Sequence, residues 1–377
     1  MIWFFFFLAV LLFAQLGTPS GNNRTYKLFQ ILLIITLSSM AGFGGIASQD
    51  HAEYVRIYNE TKDVSLFSFF SEVTLRDYSF KTVKYIYEIG YIFLNIISHK
   101  LALGEAGFFF FVSLLTNTFI VKTIYRFKYP IISVLVFVTS RAYLQEVNLV
   151  RQTLAISMLA YSLKYIETGN FKKFFTFIFL SATIHTSSFY CVVLYIIRFF
   201  YSPTRKKLLI YGLSFIWVLS MFSIKFGSFI GLDFINAYTT YGALLEESEM
   251  TMDQIHFDYE SNLIVAFLLF TSLFWLKRKI STMQIDVYFV CIILAAVFSN
   301  ISITVFYFFR ISLIFTVIYC LSIPSKLFNI GIFKIKNFSI PLFFLVLLRL
   351  YIAFRIVTTN SEAMGAEFYS LDNFFAL

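Results

Sequence analysis

Residues 172–198 read KKFFTFIFLSATIHTSSFYCVVLYIIR, an apolar run with basic residues at both ends. Lys and Arg of short loops concentrate on the cytoplasmic side of a membrane, so a single crossing would put one basic end on the wrong side. Both ends lie inside if the run is a hairpin of two short segments that turns near Ser181–Ser188. Each half is too short to cross about 30 Å of hydrocarbon. The turn, where His185 lies, is therefore expected in a protein-lined or wet cavity.

The whole chain has the composition of a membrane protein. Of its 377 residues, 59% are hydrophobic and 14% are charged, whereas a soluble domain carries about 25% charged residues. Apolar runs recur along the chain. We predict an all-α, polytopic transmembrane helical bundle of about 11–12 membrane segments, forming a single integral membrane domain over 1–377. The predicted spans are 2–16, 28–47, 106–123, 129–143, 150–166, the 174–198 hairpin, 208–226, 262–276, 283–300, 304–322 and 338–357.

The basic residues predict the orientation of these spans. With the hairpin in place, every short basic loop falls inside, and of the 21 acidic residues only Glu167 and Asp286 are expected there. Both termini and the loops at about 48–105 and 227–261 are expected outside. The apolar run up to Leu16 lacks the positive n-region of a signal peptide, so we interpret it as a retained first span.

Several other classes of function are not supported. The net charge of +9 comes from short clusters dispersed between apolar runs, which does not indicate nucleic-acid binding. The three cysteines lie inside apolar runs, so no disulfide framework is expected. No pair of the four histidines has metal-ligand spacing. We expect neither a metal nor another cofactor.

Two groups of polar residues are predicted near the outer loop 48–105. Asp50, Tyr54 and Tyr58 share one face if their segment is helical. A carboxylate flanked by aromatic rings suits sugar binding, although tyrosines that anchor an ordinary interfacial loop explain the pattern equally well. Glu88 opens the stretch 88–95, and we interpret the segment around it, about 85–103, as an amphipathic or re-entrant helix on the outer face.

A second set of polar residues lies at the outer ends of predicted spans. Arg141, Glu146, Arg151 and Gln152 cluster at one outer turn, and Arg310 lies a few residues inside a later span. Arginine near a helix end often only snorkels to the interface. Arginine is also the side chain suited to bidentate phosphate binding, and ionisable residues within the membrane, such as His185, mark functional sites. The convergence of these residues on one side predicts an outward cavity for an anionic ligand.

Three stretches resemble a known family. Residues 151–157 (RQTLAIS), 170–174 (NFKKF) and 180–187 (LSATIHTS) are similar to the core of the EpsG family, which comprises Wzy-like polymerases of exopolysaccharide, capsule and O-antigen. The Asp50–Tyr54–Tyr58 spacing, Glu88-x-Gly90-Tyr91 and Arg310 extend the resemblance. It covers about residues 45–315, most of the chain.

The resemblance implies a glycosyltransferase in the bacterial cytoplasmic (inner) membrane, with its site facing outside. The donor would be a growing glycan on undecaprenyl pyrophosphate, and the acceptor one repeat unit on the same lipid. An acceptor hydroxyl attacks the anomeric carbon of the donor, and lipid pyrophosphate leaves. A chain-length regulator is a further candidate partner, besides the lipid bilayer, and no nucleic acid is expected.

This reaction needs cationic groups for the leaving pyrophosphate and a base for the hydroxyl proton. The residues expected to bind pyrophosphate and sugar are Arg151, Arg310, Arg141, Gln152, Tyr54, Tyr58 and Tyr91. The candidate bases are His185, Glu88 and Asp50, and the sequence does not choose among them.

Three alternatives stay open at this point. A flippase or transporter of the lipid-linked oligosaccharide would need alternating access, and transporters tend to contain internal repeats, of which none is visible. An O-antigen ligase would use the same donor with a lipid A core as acceptor, but ligases usually have a larger outer loop than 227–261. A sugar acyltransferase would also use a histidine within the membrane, but the Arg151-Gln152 pair argues against it.

Overall fold

The computed structural model describes residues 2–19, 25–43, 51–64, 88–226, 259–277, 286–302, 307–328, 334–335 and 338–358. Within these ranges the regular structure is helical except for one two-residue ladder, in which β1 (Lys334–Ile335) pairs with β2 (Phe338–Ser339) in antiparallel fashion, and turns join the helices. The predicted all-α fold is therefore confirmed.

The helices of the N-terminal half are α1 (Ile2–Leu16), α2 (Tyr26–Phe43), α3 (His51–Glu60), α4 (Ile89–Lys100), α5 (Gly104–Ile124), α6 (Pro130–Val138), α7 (Arg141–Asn148) and α8 (Val150–Glu167). Of these, α1, α2, α5, α6 and α8 lie in predicted spans, whereas α3 and α4 lie in the predicted outer loop.

The second half begins with α9 and a 3₁₀ helix, η1, on either side of His185. The elements are α9 (Phe171–Ile184), η1 (Thr186–Tyr201), α10 (Pro203–Phe226), α11 (Tyr259–Lys277), α12 (Val287–Ser302), α13 (Tyr307–Phe328) and α14 (Ile340–Thr358).

Three described helices are long and apolar enough to cross a membrane: α2, α5 and residues 308–328 of α13. Shorter apolar helical segments of 10–17 residues lie in α1, η1, α11, α12 and α14. The chain thus has the helices of a membrane protein. The expected 11–12 segments and the outer termini stay predictions, as does the single-domain division; residues 227–258 of the second predicted loop lie outside the described residues.

One predicted span, 129–143, is divided in two. Helix α6 ends at Val138, Ser140 has an extended backbone (φ −101°, ψ 155°), and α7 starts at Arg141. The hydroxyls of Thr139 and Ser140 donate to the carbonyls of Leu135 (2.7 Å) and Phe137 (2.6 Å). Because a ψ of 155° at Ser140 is far from the helical value, the apolar run does not continue as one helix.

The predicted reversal within 174–198 is present, and it lies at His185. The backbone of His185 is extended (φ −153°, ψ 118°) between α9 and η1. Helix η1 then runs back along α9. Two contacts show this: the Tyr195 hydroxyl donates to the carbonyl of Gly169 (3.1 Å), and the Tyr195 ring packs on Phe171. An α-helix rises 1.5 Å per residue, so the 14 residues of α9 extend about 21 Å. A 3₁₀ helix rises about 2.0 Å per residue, so the 16 residues of η1 extend about 32 Å, and this arm is longer than expected from the sequence.

A cluster of charged residues occupies the end of the bundle away from His185; we call it the ionic end. Arg126 donates to Tyr288 (2.8 Å) and pairs with Glu167 (3.3 Å), and Lys326 pairs with Asp286. Arg198, at the far end of η1, donates to the carbonyls of Ile166 and Glu167. The two acidic residues expected among the basic loops, Glu167 and Asp286, thus both pair with basic side chains at this end.

Buried amides join three helices in the second half. Asn262 of α11 and Asn300 of α12 exchange two hydrogen bonds of 2.8 and 3.0 Å, and Asn300 also donates to Ser220 of α10. Trp217 of α10 donates to Asn262 (2.9 Å). Apolar side chains gain little by pairing with one another in lipid, so such interhelical hydrogen bonds help to hold a membrane bundle together.

Candidate active site

An ion pair joins two helices that are far apart in sequence. Glu88 is the residue immediately before α4, and Arg151 lies in the first turn of α8. Arg151 Nη1 donates to Glu88 Oε2 over 2.7 Å, and the two side chains are only 15% and 13% exposed. The start of α4 is therefore held against the start of α8.

The turn at His185 binds the same carboxylate. The backbone N–H of Thr186 donates to Glu88 Oε1 (3.0 Å), and its hydroxyl lies 3.4 Å from that oxygen. Glu88 thus uses one oxygen for Arg151 and the other for the hairpin turn. Because this turn is where α9 and η1 meet, the carboxylate joins three parts of the chain.

Two tyrosine rings support the Arg151 guanidinium. Its carbon lies 5.7 Å from the ring centre of Tyr54 and 5.5 Å from that of Tyr91, within the range of cation–π attraction. The two rings pack edge to face at 5.9 Å. Tyr91 is completely buried and Tyr54 nearly so. The guanidinium therefore packs on two buried rings, which restrict its position.

The His185 imidazole is oriented by the residues that follow it. Its Nδ1 accepts from the backbone N–H of Ser187 (3.3 Å) and lies 2.7 Å from the Ser187 hydroxyl. An Nδ1 that accepts a hydrogen bond leaves the proton of a neutral imidazole on Nε2. The charged groups that act on this imidazole are Glu88, Arg151 and Arg310.

Gln152 fixes Arg310 through the backbone. Its Nε2 donates to the carbonyl of Arg310 over 2.6 Å, and the Gln152 side chain is 1% exposed. This bond holds the first turn of α8 against the first turn of α13. The polar side chain next to Arg151 therefore positions the backbone of the second arginine.

A glycine allows α4 to approach the turn. A Cβ built on Gly90 would lie 2.5 Å from Thr183 Oγ1 and 2.7 Å from the Thr183 carbonyl oxygen. Side chains larger than hydrogen do not fit at such distances without a backbone shift. Gly90 thus lets the residues after Glu88 pack directly on the last turn of α9.

Together, Glu88, Arg151, His185, Thr186 and Arg310 form what we call the arginine site. It lies at the opposite end of the bundle from the ionic end. Arg151 and Glu167 are 16 residues apart on α8, and Arg310 and Lys326 are 16 residues apart on α13, so each pair spans about 24 Å of helix. The candidate residues thus converge far from the predicted inner basic residues.

The remaining predicted site residues have less direct positions. Asp50 and the Arg141 side chain lie outside the described residues. Tyr58 is 5% exposed and stacks on His99 at 3.9 Å, and His99 Nε2 lies 2.6 Å from the Tyr58 carbonyl oxygen. Protein covers the ring faces of Tyr58 and Tyr91, so in this arrangement neither ring offers a face to a sugar.

Sequence reasoning did not single out two residues that the structure brings to the site. Thr186 binds Glu88, and Ser187 orients the imidazole. Both lie in the polar stretch around His185, and this stretch was the sequence feature from which they could have been predicted. Their roles depend on backbone atoms and on a residue 98 positions away, which a local pattern does not contain.

The arrangement can bind an anion and handle a proton. Two arginines come together with an imidazole Nε2–H, and such donors stabilise negative charge strongly where water is excluded. The carboxylate of Glu88 contacts Arg151 directly, and its Oε2 becomes available as a proton acceptor once the arginine has another anion to bind.

Comparison with known proteins agrees with the resemblance noted in the sequence. No curated protein and no solved structure matches the chain. The sequence model of the EpsG family matches residues 27–371, which include the whole arginine site. The chain is therefore a member of the EpsG family, a membrane protein of the polysaccharide-polymerase type.

Proposed function

We propose that this protein polymerises undecaprenyl-pyrophosphate-linked oligosaccharide repeat units into O-antigen, capsule or exopolysaccharide on the outer face of the bacterial inner membrane. The observation that carries the proposal is the convergence of Arg151, Arg310, His185 and Glu88 at the end of the bundle opposite the ionic end. Membership of the EpsG family supplies the class of reaction.

In this proposal the pyrophosphate of the donor replaces Glu88 as the anion that pairs with Arg151. Arg151 and Arg310 then stabilise the charge that develops on the leaving pyrophosphate. The Nε2–H of His185 adds a third donor, since its Nδ1 is occupied by Ser187. Arg141 and Gln152 complete the group, the first as a further cation and the second by holding Arg310.

The same exchange frees the base. While it is paired with Arg151, Glu88 Oε2 is occupied by the guanidinium and is not free to contact an acceptor hydroxyl. Once Arg151 binds pyrophosphate, Glu88 Oε2 is released. It takes the proton of the acceptor hydroxyl while the hydroxyl oxygen attacks the anomeric carbon of the donor. Of the three candidate bases we therefore favour Glu88 over His185 and Asp50.

The test is complementation of a deletion strain. The strain would carry wild type, Arg151→Lys, Glu88→Gln or His185→Gln at matched membrane levels, and extracted surface glycan would be run on a gel. Wild type is expected to restore a ladder, and the three variants single-unit glycan. Glu105→Gln, which removes an exposed carboxylate at the start of α5, is the matched control and should restore the ladder.

The same gel separates the alternatives. Long glycan that stays on the isoprenoid lipid in the deletion strain would indicate a ligase. A surface extract of the deletion strain that contains neither a ladder nor single-unit glycan would indicate a flippase. Normal ladders in the deletion strain would overturn the polymerase proposal, and normal ladders in all three variants would overturn only the site assignment.

A further inference from the structure

Aromatic rings from three helices meet at the surface of the bundle, close to the ionic end. The ring centres of Phe119 (α5), Tyr161 (α8) and Phe177 (α9) lie 5.4–6.2 Å from one another. Tyr165, one turn after Tyr161, packs on Phe177 at 5.7 Å. All four side chains are half-buried, and we call them the aromatic patch. The patch therefore joins α5, α8 and α9 and still presents part of each ring at the surface.

On each of these helices a lysine lies one turn from a ring of the patch. The pairs are Phe119–Lys122, Tyr161–Lys164 and Phe177–Lys173. Residues three or four apart lie on one face of a helix. Helices α5 and α8 end near the Arg126–Glu167 pair of the ionic end, and α9 starts shortly after Glu167. All three lysines therefore lie on the side of the rings that faces the ionic end.

The amines of these lysines lie around the two tyrosines. Lys164 Nζ is 3.4 Å from the ring centre of Tyr161 and 4.9 Å from that of Tyr165. Lys173 Nζ is 5.8 Å from the ring centre of Tyr165. Lys122 is exposed and close enough to Tyr161 to act on it electrostatically. An ammonium group has three donors, so an amine that lies over a ring keeps N–H groups for another partner. The lysines thus concentrate positive charge and donors at one edge of the patch.

Acidic side chains do not neutralise this charge. At the ionic end, Glu167 pairs with Arg126, and Asp286 pairs with Lys326. In the described part of the chain, no ion pair joins an acidic side chain to any of the three lysines. The predicted inner loops also extend into ranges outside the described residues, and these contain no Asp or Glu: 20–24, 278–285, 329–333 and 336–337. The charge beside the patch therefore suits an anion that the chain itself does not supply.

The position of the patch selects the kind of anion. Tyrosine and lysine are typical of the ends of membrane-spanning helices, at the level of the lipid headgroups. Away from the lysines, Leu180 of α9 is 45% exposed and continues the apolar surface beyond Phe177. Basic sites between transmembrane helices bind the headgroups of anionic lipids. We propose that the aromatic patch and the three lysines bind an anionic phospholipid, with its phosphate at the lysines and its acyl chains along Phe119, Phe177 and Leu180.

This lipid site is separate from the arginine site. Lys164 and Arg151 are 13 residues apart on α8, which corresponds to about 20 Å of helix. The bound phospholipid would contact α5, α8 and α9 together and so stabilise their packing at the ionic end. This proposal does not depend on the proposed polymerase function.

The test measures thermal unfolding of the purified full-length protein in detergent micelles to which phosphatidylglycerol or phosphatidylcholine is added. Binding to the folded state raises the unfolding temperature in a saturable way. We expect a larger rise with phosphatidylglycerol than with phosphatidylcholine for wild type. Lys122→Gln, Lys164→Gln and Lys173→Gln should each need about fivefold more phosphatidylglycerol for the same rise. Lys207→Gln is the matched control, because it removes an exposed lysine of α10 outside the patch, and it should follow the wild-type curve.

Other results would overturn the site. Equal unfolding temperatures in the two lipids contradict it, as does a phosphatidylglycerol effect that is unchanged in the three glutamine variants. A loss in Lys207→Gln as large as in those variants would indicate general charge attraction instead of a site. An equal rise with inorganic phosphate alone would indicate a free anion and not a lipid. If the glutamine variants do not fold, wild type decides, since a phosphatidylglycerol effect that high salt does not weaken contradicts binding through exposed lysines.

Discussion

Arg151 Nη1 lies 2.7 Å from Glu88 Oε2, although the two residues are 63 positions apart in the chain. This pair joins the start of α8 to the start of α4, and the second oxygen of Glu88 binds the turn at His185. The arginine that we assign to the substrate thus has a partner of its own before any substrate arrives. The pair is both a structural link and the group that the proposed mechanism opens.

The first prediction concerns the strength of this pair. Arg151→Ala leaves a largely buried carboxylate with one partner fewer and should lower the free energy of unfolding by about 3 kcal/mol. Glu88→Ala removes the carboxylate that the guanidinium contacts at 2.7 Å and should cost a similar amount. Because the two side chains interact directly, the double variant should be more stable than the sum of the single effects predicts, by about 2 kcal/mol. Denaturant titration in mild detergent measures all three, and strictly additive effects would show that the pair contributes nothing.

The second prediction concerns the close approach at Gly90. Gly90→Ala puts a methyl group against the backbone carbonyl of Thr183, which cannot rotate away. We expect α4 to shift and Glu88 to lose its bond to Thr186. A displacement of about 1 Å at a reacting group can reduce the rate about 100-fold, so the glycan ladder should collapse to short products. Gly212→Ala is the matched control because nothing lies within 4 Å of that glycine. Full ladders from Gly90→Ala would mean that the close approach does not position Glu88.

The third prediction concerns the buried amides of the second half. Asn300→Ala removes the bonds to Asn262 and Ser220 and should destabilise the protein by about 1–2 kcal/mol. The arginine site contains none of these residues, so surface glycan should keep its normal length at matched protein levels. Unfolding and gel analysis of the same strain measure both effects. A shortened ladder with unchanged stability would contradict the prediction that the buried amides affect stability and not the arginine site.

The fourth prediction concerns the sides of the membrane. Lys100, at the end of α4, and Thr168, directly after α8, are both exposed. We expect Lys100→Cys to react with a membrane-impermeant maleimide in intact cells and Thr168→Cys to react only after the cells are permeabilised. Background labelling should be low because Cys191, Cys291 and Cys320 are buried. The reverse pattern would invert the proposed orientation and place the arginine site inside.

The sequence determined the helical segments of this protein. Apolar runs and their flanking basic residues are local features, and helices such as α2, α5 and α13 form where the runs occur, since the backbone bonds of a helix are made within the segment. The reversal near His185 was also predictable, because the charges at both ends of 172–198 are visible in the sequence. The exception is the break after Val138, where the extended backbone of Ser140 separates two helices and the apolar pattern gave no sign of it.

Only the tertiary structure decided which helices meet. The sequence contained Glu88, Arg151 and His185 as separate candidates, but no local pattern states that the first two pair or that Thr186 binds the same carboxylate. The hydrogen bonds that Glu146 accepts from Ser113 and Asn117 are likewise a property of the packing between α5 and α7. The physical reason is that helix formation depends on neighbours within about four residues, whereas the partner of a buried charge is set by the packing of helices that are distant in the chain.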